Sequence, residues 1–436
     1  MNSVGFKAST NPEIGGLVFP IRVVSLAIAA AAFLTAQTQP KAIKFGKLWD
    51  GHRLITDAIV MVEDGKIQSV TSGRAIRGQA EIIDLSRYTG IPGMIDSHTH
   101  MTYYWDANVG STPRSQPPRH VAVTVFLAQE NAKKTLEAGV TTVRDLNARG
   151  GADIAMRDLI NMGAMTGPRM FVSGAGLGGF ANRPDITDPA SEAAKQAKAV
   201  IDGGSDWVKV FGSTGGFDNV TGRQTVSYQE MKAIVDAVHA TGHKVAIHSY
   251  GPDGARDAVR AGADTLEHAT DIDDETIAEM VRKKVWYIPT IDHNQYYVEN
   301  ADDVYKFPAG AKENLLKYIE RNFETARKAH KAGVRMLVGS DAVFNGFGLN
   351  MRELAWFVKL GMTNEQALQS ATVLPAEMLG MEKSLGSIAP GYFADIVAVE
   401  GNPLVDIQVA IKKVRWVMKN GFVVVDKTHA AAASRH

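Results

Sequence analysis

Six side chains of this sequence are of types that hold divalent cations: His98, His100, Lys209, His248, His268 and Asp341. Imidazole and carboxylate suit borderline or hard cations, and a lysine can join them once it is modified. His98 and His100 stand two apart. On a strand such residues face one side, so both imidazoles can grip one ion. Alone, the pair could equally be two surface or core histidines; two further histidines and an aspartate at matching places weaken that reading. Lys209 sits among apolar neighbours in Trp207-Val208-Lys209-Val210-Phe211. A buried ammonium is costly, so the amine should be neutral or paired. A neutral amine can add carbon dioxide, and the carbamate would offer one oxygen to each of two metals; the alternative is a salt bridge to an acidic neighbour. Asp341 follows the apolar Met336-Leu337-Val338 through Gly339-Ser340. There it can act as metal ligand and proton carrier, because water on a divalent cation ionises near neutral pH and a neighbouring carboxylate can pass the proton to a leaving group. The apolar lead-in argues against a surface acid capping a helix.

These residues need elements that converge. Eight apolar, β-rich runs lie near Gly93–Ile95, Thr142–Leu146, Met170–Ser173, Trp207–Phe211, Val245–His248, Thr265–Leu266, Trp286–Pro289 and Met336–Gly339. Amphipathic stretches such as Tyr228–Ala240, Glu275–Lys283 and Asn314–Ala332 separate them. Alternation of strand and helix predicts a parallel sheet, and eight units close naturally into a (β/α)8 TIM barrel, an α/β fold. In that fold reactive residues lie at the C-terminal ends of strands, where five of the six candidates fall; Lys209 stands mid-strand with its side chain turned into the barrel. Before the barrel, Ala42-Ile43-Lys44-Phe45, Ala58–Val62 and Lys66–Val70 read as short strands, with Asp64-Gly65 as a hairpin turn. After it, Ala394–Val399, Val414–Met418 and Phe422–Val425 read likewise, with Asn420-Gly421 as the turn. The two ends should pair into a small β-sandwich over 41–91 and 386–426, around a barrel at 92–385. The tail from Lys427 is expected to be disordered.

With the strands placed, the chain resembles the amidohydrolase superfamily from about Lys41 to Val425. The markers are Pro92-Gly93-Met94-Ile95-Asp96-Ser97-His98-Thr99-His100, Gly139-Val140-Thr141-Thr142-Val143-Arg144-Asp145, Val208-Lys209-Val210, His248, Glu267-His268, Gly339-Ser340-Asp341 and Pro390-Gly391-Tyr392-Phe393-Ala394-Asp395-Ile396-Val397. It looks most like the branch of Xaa-Pro and Xaa-Arg dipeptidases and ochratoxin-type carboxypeptidase-like amidases. The resemblance implies two divalent metals, usually zinc. It implies His98, His100 and Asp341 on the first, His248 and His268 on the second, and carboxylated Lys209 bridging them. It also implies larger homo-oligomers, and as substrate a small N-acyl amino acid or dipeptide with a free carboxylate on its leaving side.

The expected reaction is amide hydrolysis by a metal-bridging hydroxide, with Asp341 carrying the proton to the leaving nitrogen. His293, after strand seven in Pro289-Thr290-Ile291-Asp292-His293, should open onto the mouth and meet the substrate carboxylate or developing oxyanion. Tyr103 and Tyr104 could do the same; packing or a solvated loop is the plainer reading of all three. The run Gly174-Ala175-Gly176-Leu177-Gly178-Gly179 has no Lys-Ser/Thr pair after it, so it is read as a flexible wall of the mouth rather than a phosphate loop. Lactone or ester hydrolysis at the same two-metal site, and a non-enzymatic scaffold, are the competing functions. The complete ligand set disfavours the scaffold, and Lys209 disfavours one-metal ring deamination.

Bulk composition agrees. The 436 residues are 45% hydrophobic, enough for one large domain and a smaller one. Lys+Arg and Asp+Glu are both 47, so no net charge points to nucleic acid or an anionic membrane. The absence of cysteine removes disulfides, thiolate ligands and a cysteine nucleophile. Arg22, the apolar Val23–Leu34 and small residues up to Ala36 read as a secretory signal within 1–36, with a buried or interfacial helix as the alternative; the run is too short for a comfortable membrane span, and the signal predicts a periplasmic or secreted protein without stable membrane insertion.

Overall fold

A computed structural model of the chain describes residues 39–73, 79–181, 183–215, 220 and 222–429. The expected signal segment, and the tail beyond residue 429, lie outside the described residues. Among the described residues, no helix is long and apolar enough to cross a membrane.

The strands in chain order are β1 (Lys41–Trp49), β2 (Leu54–Glu63), β3 (Lys66–Ser72), β4 (Glu81–Pro92), β5 (Met94–Thr99), β6 (Val140–Asp145), β7 (Arg169–Val172), β8 (Trp207–Phe211), β9 (Lys244–Ser249), β10 (Thr265–His268), β11 (Trp286–Ile288), β12 (Ile396–Val399), β13 (Val414–Lys419) and β14 (Phe422–Asp426). The two chain ends do pair, β4 running antiparallel to β12. They form one seven-stranded sheet in the order β14-β13-β12-β4-β1-β2-β3, where a sandwich of two sheets was expected. The sheet encloses its own core: Ile43, Phe45, Val60 and Ile67 of the leading strands pack with Ile396, Trp416 and Met418 of the trailing ones. Its hairpins explain how. Asp64-Gly65 and Asn420-Gly421 all have positive φ, the conformation a two-residue hairpin requires. The two tips meet backbone to backbone; a Cβ on Gly65 would lie 2.9 Å from the Asn420 carbonyl oxygen, and one on Gly421 2.9 Å from Gly65 Cα. Of the expected tail only residues 427–429 are described, and there the Lys427 amide donates to the Arg415 carbonyl at 2.7 Å.

Within the central region β5, β6 and β7 pair in parallel, as do β8, β9, β10 and β11. Helices Val121–Glu137, Ala152–Asn161, Pro189–Asp202, Tyr228–His239, Pro252–Ala261 and Asp274–Lys283 follow successive strands from β5 to β10. Local sequence sets their starts. Ser227 and Glu230 form a reciprocal capping box, and the Asp273 carboxylate accepts from the Thr276 amide at 2.7 Å. The strands face a shared core that includes Val143, Val208, Val245 and Leu266, all fully buried.

The eighth run is the exception. Met336–Gly339 is not a regular strand; it makes a single parallel bridge, Tyr287 to Met336. It bonds on both sides without a regular ladder: the Leu337 N–H donates to the Tyr287 carbonyl of β11 at 3.0 Å and the Val338 carbonyl accepts from Ser97 of β5 at 2.9 Å, while the Val338 N–H turns to the Ser370 carbonyl at 3.0 Å. Regular pairing is therefore two arcs, of three and four strands, and isolated bridges span the gaps. Leu177 pairs with Val210 between β7 and β8, and Thr99 with Ala342 beyond β5.

Arg169, at the start of β7, joins this region to the outer sheet. Its guanidinium meets Asp395 Oδ2 at 2.6 Å and Thr142 Oγ1 at 3.1 Å, and also bonds Asn420. It lies 4.3 Å from the Phe393 ring centroid. Removing one partner of such a pair strands the other charge. Arg169→Met should lower the unfolding free energy by about 3 kcal/mol, read as a reduced urea midpoint with unchanged slope.

Candidate active site

The six candidate ligands and His293 converge, and all are buried. Asp341 is the hub. Its Oδ1 lies 2.9 Å from His100 Nε2 and 3.6 Å from His98 Nε2. Its Oδ2 lies 3.2 Å from His293 Nε2 and 3.9 Å from His268 Nδ1. Lys209 Nζ is 3.5 Å from His98 Nε2. His248 joins through His268, with ring centroids 4.5 Å apart. Five strands or strand-like runs supply the six candidate ligands, and the helix Ile291–Glu299 after β11 supplies His293. β5 delivers His98 and, one residue past its end, His100. β8 carries Lys209, β9 His248 and β10 His268, and Asp341 follows the bridged eighth run.

Two of these residues hold an unusual backbone. His268 has φ 71° and Asp341 φ 48°, and Thr290, which introduces the helix Ile291–Glu299, has φ 50°. Left-handed non-glycine residues cost about 1–3 kcal/mol and persist only where their surroundings over-determine them. Here the surroundings do. The Asp341 amide donates to the His98 carbonyl at 2.7 Å, and Asp96 accepts from both the amide and the hydroxyl of Ser340 at 2.9 and 2.5 Å. Tyr287 donates to the carbonyls of His268 and Ala269 at 3.0 and 2.6 Å. Thr290 Oγ1 lies 2.7 Å from His268 Nδ1.

Burial sets the protonation of the cluster. It pushes His98 down to about 4, with help from Lys209, and lowers His248 and His268 well below the ordinary imidazole range. It also brings Lys209 down to about 8 against the opposing pull of Glu267 and Asp341. Burial alone would raise Asp341, but the facing imidazoles of His293, His98 and His100 hold it well below the usual carboxylate range. The result is a buried set of imidazole lone-pair donors around one anionic carboxylate, which fits a cation. Donor atoms of His98, His268 and Asp341 all lie within 4.8 Å of one another. His100 Nδ1 is buried without a hydrogen-bond partner.

Other candidates divide. Tyr103 belongs to the site: it stacks on His100 with centroids 4.7 Å apart, and its hydroxyl accepts from Asn147 at 2.7 Å. Tyr104 does not join it. Its ring lies 5.9 Å from the Arg119 guanidinium and its hydroxyl bonds Glu130, because consecutive residues leaving the strand diverge. The glycine-rich run is no loose wall. Gly174 donates to Asp153 at 2.8 Å, Gly176 to Asn147 at 3.0 Å, and Leu177 makes the bridge to β8. His293, Tyr296, Leu349, Asn350 and Glu353 wall a cavity beside Asp341. Thr290 and Tyr287 also serve the site with no signal in their sequence type or spacing, since their roles rest on contacts between separate strand ends.

The Amidohydrolase family model matches residues 89–424. Ochratoxinase of Aspergillus niger is 28% identical over 371 residues, covering 76% of this chain and 74% of that protein. Among solved structures, a Xaa-Pro dipeptidase with bound methionine in its active site superposes with a TM-score of 0.79 at 29% identity, covering 88% of this chain and 99% of the other. The A. niger ochratoxinase structure superposes at 0.75 with 25% identity, covering 89% and 97%. These neighbours imply a TIM-barrel-like fold for the strand–helix region, with an added sheet domain. The family is generally metal-dependent. This chain belongs to the amidohydrolase family and is a hydrolase acting on amide bonds.

Proposed function

We propose that the chain hydrolyses small N-acyl amino acids or dipeptides, freeing the amino acid on the leaving side, with two divalent metal ions at the Asp341 cluster. The convergence of His98, His100, His268 and His293 on one buried carboxylate carries this reading. His98, His100 and Asp341 would hold one ion and His248 and His268 the other, with Lys209 between them as a carbamate. Zinc suits imidazole and carboxylate donors. Bound divalent ions supply Lewis acidity toward water and the scissile carbonyl.

The chain's own groups do the rest. Lys209, which burial brings down to about 8, has a larger neutral fraction than an exposed lysine, and that amine can attack carbon dioxide; an N–C bond forms and the nitrogen passes a proton to solvent, leaving a carbamate anion. Asp341 takes the proton from the attacking water and returns it to the leaving nitrogen. His293, 3.2 Å from Asp341, can donate to the substrate carboxylate or the developing oxyanion. Tyr103 covers His100 and narrows the mouth. The isolated bridges at Leu177, Met336 and Thr99 support closure of both arcs into one eight-membered barrel over 92–385, with 41–91 and 386–426 as the sheet domain. The Arg22–Ala36 pattern supports export to the periplasm or medium.

Three measurements test the proposal. Asp341→Asn should reduce turnover by roughly 10²–10⁴-fold while most metal stays bound; a near-normal rate removes its proton role. Lys209→Ala should lose activity and part of the metal content, and full activity would exclude a bridging carbamate. Zinc-loaded protein should release free amino acid from a panel of Xaa-Pro and Xaa-Arg dipeptides and N-acyl phenylalanines, including an ochratoxin-like aromatic amide, as read by mass spectrometry. Turnover confined to lactones or an aminopurine would overturn the substrate class and keep the fold.

A further inference from the structure

Beneath the cluster lies a buried charge network. Glu267 and His268 are neighbours on β10, and alternation along a strand should send them to opposite faces. Both nevertheless serve the barrel interior, because the backbone turns left-handed at His268. Glu267 is fully buried, and its carboxylate reaches across to β5, where Oε2 lies 2.7 Å from His98 Nδ1. Its other oxygen accepts from Arg144 Nη2 at 2.8 Å and from the Thr265 hydroxyl at 2.5 Å. Arg144, on β6 and also fully buried, is itself fixed: Nε donates to the Ser97 carbonyl at 2.6 Å and Nη1 to Thr265 at 2.9 Å. Its guanidinium lies 4.6 Å from the Trp207 ring centroid.

The chemistry of this arrangement has one consistent proton assignment. A carboxylate held against a guanidinium only accepts. The imidazole nitrogen facing it must then carry the hydrogen, since a bare Nδ1 lone pair there would meet the carboxylate lone pairs head on. His98 Nε2, which looks toward Asp341 and Lys209, is left as the free lone pair. We infer that Glu267, braced by Arg144, is a positioning residue that fixes His98 as the Nδ1–H tautomer and so aims its Nε2 lone pair at the cation. This rests on the metal-site reading above and assigns it a component that touches neither substrate nor ion. Partners of this kind raise a ligand's basicity and lock its ring, and losing them typically costs roughly 10–100-fold in metal affinity.

The test uses the full chain labelled with ¹⁵N-histidine and stripped of metal. Long-range ¹H–¹⁵N correlation reads the His98 tautomer, its signal identified by its loss in His98→Ala. The Nδ1–H form is expected; the Nε2–H form overturns the inference. In Glu267→Gln the amide oxygen can still accept from Arg144 while its NH₂ turns to His98. The tautomer should then flip to Nε2–H, and zinc affinity by chelator competition should fall roughly 10–100-fold. A lowered unfolding midpoint with unchanged tautomer and zinc affinity would make Glu267 a purely structural residue and refute the inference. If Glu267→Gln does not fold, the wild-type tautomer decides. If the wild-type chain binds no zinc, the metal-site reading fails, while the tautomer measurement still judges the Glu267–His98 assignment by itself.

Discussion

A buried carboxylate is tolerated only when donors or cations surround it. Asp341 is buried, and the described structure meets it with imidazoles from three directions: His98 and His100 from β5, His268 from β10 and His293 from the helix after β11. Much of the central fold follows from bringing those strand ends within reach of one side chain. The parallel arcs point their C-terminal ends the same way, and connecting helices keep the opposite faces covered. Apolar strand bodies such as Val208, Val245 and Leu266 anchor this, because burying them offsets the cost of grouping polar side chains at their tips.

That grouping is held by backbone as much as by side chains. Left-handed turns at His268, Thr290 and Asp341 let residues leave the strands at angles that regular pairing forbids. Each turn is secured by hydrogen bonds to groups outside its own segment: the Tyr287 hydroxyl donates to the His268 and Ala269 carbonyls, Ser340 donates to Asp96, and the amides of Ile291 and Asp292 donate to Glu353 at 2.9 and 2.8 Å. The same departure from regular geometry explains why the eighth run is bridged rather than paired. Its Leu337 amide bonds Tyr287 of β11 and its Val338 carbonyl bonds Ser97 of β5, but the Val338 amide is spent on Ser370, so no regular ladder runs along it.

The outer sheet stands apart from this chemistry. It contributes none of the groups around Asp341, and it is tied to the barrel strands through Arg169, Asp395 and the Gly93 amide, which donates to the Asp395 carbonyl at 2.8 Å. Stability there and chemistry at the strand tips are thus carried by separate residues. The exception is the buried Arg144–Glu267 pair, which packs in the barrel interior and contacts a site histidine directly.

Period and residue type made much of this legible beforehand. The switch from two-residue alternation to strand–helix alternation marked both regions, Asp64-Gly65 and Asn420-Gly421 marked both hairpins, and the ligand types at run ends marked the cluster. Those signals are local: a strand's pleat, a turn's φ and a ligand's chemistry are properties of a few adjacent residues. What adjacency cannot encode was decided by tertiary structure. One curled sheet replaced two because the hairpin tips meet; Tyr104 turned to Glu130 while Tyr103 stacked on His100; the glycine run was pinned through Leu177. Glu267 reads in sequence as a strand residue facing away from its neighbour His268. Only the left-handed turn at His268 and the crossing of Arg144 from β6 bring it against His98, because such contacts depend on where separate strands end in space.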